Sequence, residues 1–120
     1  MVGCADPIAP TTPTPAVPTV TDTFSDTLLV GGANQHPFTV STIGSVKVTL
    51  PSVEPSAAVL IGLGTQGLAG CTLIDHVLTN AGPNVIMSGT VTVPGTYCVL
   101  INDPGNLVEP AVYTITVLHS

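Results

Sequence analysis

Gly89-Thr90-Val91-Thr92-Val93, Pro94-Gly95, Thr96-Tyr97-Cys98-Val99-Leu100-Ile101, then Asn102-Asp103-Pro104-Gly105-Asn106 and Val112-Tyr113-Thr114-Ile115-Thr116-Val117 are the residues that decide the fold. The runs are rich in β-branched and aromatic side chains, and the breaks between them are Pro, Gly, Asn and Asp, the residues that turn a chain. The pattern predicts antiparallel strands, not helices. Toward the N-terminus, Thr23–Val30 ends at Gly31-Gly32 and is followed by Pro37–Ser41. Ser45–Leu50 then alternates Val46, Val48 and Leu50 with Ser45, Lys47 and Thr49, which gives one buried and one wetted face. Ala57–Leu63 is more continuously apolar and reads as a central strand, and Val85–Val93 supplies another. Gly64–Gly82 is ambiguous: Cys71-Thr72-Leu73-Ile74 and Val77-Leu78 fit either a short strand or a helical turn. The expectation is an all-β, antiparallel, jelly-roll-like sandwich of about seven to eight strands over residues 21–120.

Composition narrows the function. Charged residues make up 7% of the chain, against roughly 25% in an ordinary globular protein. Lys47 is the only basic side chain, Arg is absent, and the net charge is −6. Nothing here neutralises a phosphate backbone, so nucleic acid is excluded as a partner, and anionic membrane surfaces fall to the same argument. A polar surface built from Thr, Ser and Asn carries little like-charge repulsion and tolerates self-association. No run of about eighteen apolar residues is present to span a membrane. No charged segment followed by a long apolar one precedes the domain, so a complete signal peptide is not expected either.

Residues 1–20 differ from the rest. Pro7, Pro10, Pro13, Pro15 and Pro18 interleave with Thr and Ala, which rules out a helix or central strand and favours extended polyproline II. This is a tail or tether. At its head, Met1-Val2-Gly3-Cys4 resembles the end of a bacterial lipobox, making Cys4 a lipidation candidate and a lipid anchor the one route to a membrane. The alternative is an incidental cysteine near the terminus. Cys71 and Cys98 are expected to form a disulfide that closes a loop of about 28 residues, worth roughly 3–4 kcal/mol by loop entropy; reduced thiols are the alternative. With Tyr97, Val99 and Ile101 toward the core, Cys98 lies on the outer face and pins residues 64–84 there. Oxidation implies export.

The segments Phe38-Thr39-Val40, Gly44-Ser45-Val46-Lys47-Val48-Thr49-Leu50, Pro94-Gly95-Thr96-Tyr97-Cys98-Val99 and Tyr113-Thr114-Ile115-Thr116-Val117 together resemble the bacterial pre-peptidase C-terminal domain family. The resemblance spans residues 24–118 and rests on strand-and-turn patterns. It implies a jelly-roll-like sandwich with a secreted, non-catalytic accessory role in ligand binding, surface attachment or solubility. No attached catalytic domain is expected for this chain, which would be a departure from the family.

Few residues could carry chemistry. Asp75-His76 invites a triad reading, but no nucleophile elbow accompanies it, and a loop His beside an Asp is the plainer reading. His36, His76 and His119 lack metal-ligand spacing. Gly62-Leu63-Gly64-Thr65-Gln66-Gly67 carries the first two glycines of a dinucleotide fingerprint without its βαβ context, and reads as a turn. Asp22, Asp26, Asn102, Asp103 and Asn106 could offer oxygens to calcium, or serve as ordinary turn residues; no other cofactor is expected. With no Trp, two Phe and two Tyr, stacking platforms for sugars are nearly absent, and Tyr97 and Tyr113 are placed in the core. The expected function is a non-enzymatic module at a bacterial surface, outside the cell or in the periplasm. It would bind or display against a protein, matrix or cell-envelope component. The alternative is a self-assembling structural subunit, a homo-oligomer joined through the N-terminal arm.

Overall fold

The computed structural model of the chain describes residues 20–120; Cys4 and the Pro/Thr-rich segment lie outside them. The strands are β1 Val20–Leu28, β2 Ala33–Val40, β3 Gly44–Glu54, β4 Val59–Gly67, β5 Gly70–Thr79, β6 Val85–Val91, β7 Gly95–Asn102 and β8 Ala111–His119. They form two four-stranded sheets, ordered β1-β8-β3-β6 and β2-β7-β4-β5. The first strand pairs with the last, the second with the seventh, the third with the sixth and the fourth with the fifth, all antiparallel. This nested pairing is a jelly roll.

Period-two patterning builds both sheets. In β8, Ala111, Tyr113, Ile115, Val117 and His119 are buried while Val112, Thr114, Thr116 and Leu118 are not. In β3, Val46, Val48 and Leu50 enter the same core. Opposite them, β7 contributes Val99 and Ile101, with Tyr97 partly buried, and β4 contributes Val59 and Ile61. Each fully buried aliphatic side chain stabilises the sandwich by about 1.5–3 kcal/mol. Prolines sit where a missing N–H costs least. Pro37 lies on the edge strand β2, and Pro51 lies inside β3 where the register to β8 slips between Thr49 and Ser52.

Two expectations need correction, and one open alternative is resolved. Gly62–Gly67 is not a turn but the second half of β4. Asp75-His76 lies in β5 rather than a loop, and the ambiguous segment 64–82 is mostly this strand. Both strands escape a simple reading because their hairpin bends. The disulfide between Cys71 and Cys98 spans 5.8 Å between Cα atoms, although β4 runs between β5 and β7, where flat pairing would set strands about 10 Å apart. The hairpin tip therefore curls over the outer face of its own sheet. Cys71 N–H reaches Gln35 Oε1 on β2 at 3.0 Å. Cys98, paired beside Gly64 and pointing away from the inter-sheet core, is buried beneath that fold.

The curl requires glycine. A Cβ on Gly64 would stand 1.9 Å from the Thr72 carbonyl oxygen, and one on Gly62 would stand 2.5 Å from Leu73. Both positions are fully enclosed.

Candidate functional site

Two sheets stacked face to face leave two seams, β1 against β2 and β5 against β6. The first is closed by side chains. The Phe24 and His36 rings stack at 4.9 Å between centroids, and the Tyr113 hydroxyl lies 2.6 Å from His36 Nε2. Asn34 Nδ2 donates to the same hydroxyl at 3.0 Å. Burial holds His36 below the ordinary imidazole value, against a smaller opposing pull from Asp26. Burial likewise pushes the Tyr113 phenol up. At the end of this seam His119 Nε2 meets Asp22 Oδ2 at 2.7 Å, and its ring packs 5.1 Å from Phe38.

The second seam is open. Between β5 and β6 lies a cleft of about 370 Å³ whose apolar lining comes from Phe38, Val46, Leu63, Val91 and Tyr97. Strand β5 adds Ile74 and Asp75, and β6 adds Ser88, Gly89 and Thr90. A volume above about 300 Å³ is that of an ordinary small-ligand pocket.

Two local features make this cleft. On β6, Gly89 pairs with Val46 and so occupies an inward position between buried Met87 and Val91. Any other residue there would project into the inter-sheet space. Built onto Gly89, a Cβ meets only Leu63 Cδ2, at 3.9 Å. On β5, Leu73 pairs with Gly64 but Asp75 pairs with Leu63, leaving Ile74 as an extra residue. A bulge reverses the phase of a strand and re-aims the next side chain. Leu73 therefore covers the outer glycines, whereas Asp75 shares the inward face of Leu63 and lines the cleft.

The same geometry separates Asp75 from His76. His76 pairs with Gly62 on the outer face, and its contact with Asp75 is a backbone N–H donated to Oδ1 at 2.9 Å. The adjacent pair does not form a dyad of side chains.

The oxygen-bearing residues fall into two groups. Asp22 and Asp26 lie four residues apart on β1, about 13 Å along an extended strand, and Asp22 is engaged by His119. Asn102, Asp103 and Asn106 come together at the end of β7. Asp103 accepts backbone N–H groups from Gly31, Gly105, Asn106 and Leu107. The Asn102 amide reaches Gly32 O and the Asn106 amide reaches Ala58 O. Four converging donors fill the Asp103 carboxylate and hold its pKa down at about 2. Among the described residues, no three His, Cys, Asp or Glu side chains cluster as a metal site.

Gly89 and the inward turn of Asp75 were not singled out from sequence. The available signal was a lone glycine inside an alternating strand, which marks close backbone approach or missing side-chain volume. Among the described residues no helix is long and apolar enough to cross a membrane. Compared with known proteins, the chain matches no family model and no curated protein.

Proposed function

We propose that this chain is an exported, non-enzymatic binding module that holds its ligand in the β5/β6 cleft and is tethered to a bacterial surface by its Pro/Thr-rich N-terminal segment. The observation that carries the reading is Gly89: a position inward by register but exposed and without a side chain, so that an apolar space stays open on one seam while the other is filled. The resemblance to pre-peptidase C-terminal domains agrees with an accessory role of this kind. Export is supported by the Cys71–Cys98 disulfide, since such bonds persist in oxidising compartments. A ligand-observed NMR screen of a fragment library against the wild type and Gly89→Val tests it. The reading expects hits that Gly89→Val loses; hits that survive the substitution, or none in the wild type, contradict it.

One observation favours a second reading, self-assembly. Among the described residues the edges of β5 and β6 have no strand partner on their outer sides, and Ile74, Leu78 and Val85 are exposed there by 71%, 56% and 51%. Exposed apolar edges are templates for another chain. Val20–Leu28 is already paired with β8 of its own chain. An arm that joined copies would therefore come from residues 1–19.

A further inference from the structure

We propose that the cleft takes a small molecule with an apolar, ring-sized body and a protonated amine, anchored by Asp75; the inference rests on the cleft being the binding site named above. Hydrophobic lining alone would accept any apolar body. Asp75 is what selects. It is the one carboxylate lining the cleft, and the bulge at Ile74 turns it there. One carboxylate oxygen accepts the His76 N–H. Among the described residues no cationic side chain is paired with Asp75; the one contact of that type joins His119 Nε2 to Asp22 Oδ2.

Among the described residues no Lys, Arg or His lines the cleft. Arg is absent and the single Lys is Lys47, which pairs with Ser88 and Leu118 on the face of β3 opposite Val46 and Val48. A ligand that covers Asp75 must remove water from a carboxylate. A neutral body leaves that charge uncompensated and an anionic one adds repulsion, whereas an ammonium replaces the lost water with a charge-assisted hydrogen bond. The net charge of −6 favours the approach of a cation. The Phe38 and Tyr97 rings, 6.3 Å apart between centroids, offer apolar faces to the body of the ligand. The Tyr97 hydroxyl donates to the Val93 carbonyl, which fixes the ring at the cleft wall.

Three probes of matched shape separate the terms: 2-phenylethylammonium, 2-phenylethanol and phenylacetate, titrated at neutral pH into the isotope-labelled full chain and followed by amide NMR. The expected result is saturable shifts at Asp75, Ser88, Gly89 and Thr90, with the ammonium binding about tenfold more tightly than the alcohol and phenylacetate weakest. Asp75→Asn is expected to bring the ammonium down to the level of the alcohol while leaving the alcohol unchanged. Equal binding of ammonium and alcohol by the wild type, or an Asp75→Asn variant that keeps the preference, overturns the ligand class and leaves the cleft as a binding site. No shift at these amides with any probe overturns the ligand class and the binding-site reading together.

Discussion

Asp103 sits where β7 leaves its sheet, and its carboxylate gathers the loop that follows together with the β1–β2 turn at Gly31. This was legible in part: Asn102-Asp103-Pro104-Gly105-Asn106 announces a turn by its residue types, but not that one side chain would collect donors from another connection. The folded-state pKa of about 2 lies below the ordinary value of 3.8. The stability Asp103 contributes is therefore complete above pH ~4 and is lost as the pH falls toward 2. Asp103→Asn replaces one acceptor oxygen with a donor facing backbone N–H groups. Its melting temperature should fall below that of the wild type at neutral pH, with the gap closing between pH 4 and 2 in a series of thermal melts. His36 adds a slope at higher pH. Its folded-state value lies below 6.5, so stability is full above that pH and declines as the pH falls through it.

Among the elements, the β4–β5 hairpin departs most from the sequence reading. Strands β7 and β8, and β3 as far as Leu50, were legible because each keeps a period of two against one core, and the phase of β7 places Cys98 on the outer face. The hairpin breaks the rule twice. Gly62 and Gly64 replace side chains on its outer face so that β5 can curl over them, and Ile74 shifts the phase halfway along. Apolar Leu73 and Ile74 then point where alternation would not send them, and a strand resembles an irregular loop. The account makes Gly64 indispensable. Gly64→Ala drives a methyl into the Thr72 carbonyl and should cost about 2–3 kcal/mol in urea denaturation. It should also raise the fraction of free Cys71 and Cys98 thiols measured by alkylation and mass spectrometry.

At the scale of the whole molecule, the sandwich treats its two seams differently. One is filled by Phe24, His36, Tyr113 and the His119–Asp22 pair; the other is left open at Gly89. Edge strand β1 also carries Asp22 and Asp26 facing the inter-sheet side, a charge placement that discourages another chain from adding there. The β5/β6 side carries the exposed Ile74, Leu78 and Val85. A tethered binding module should be monomeric by light scattering with and without residues 1–19; polymers that disappear on truncation would favour the assembling subunit instead.

The central claim is that Gly89 keeps a space open where a sandwich core would otherwise be filled, and the unfolding free energy of Gly89→Val tests it most directly. Gly89 has no positive backbone φ to protect, and a β-branched residue suits a strand better than glycine. The account predicts stability unchanged or raised by up to about 1 kcal/mol. A loss of more than about 1 kcal/mol would show that the sheets close on Gly89, and would contradict the cleft.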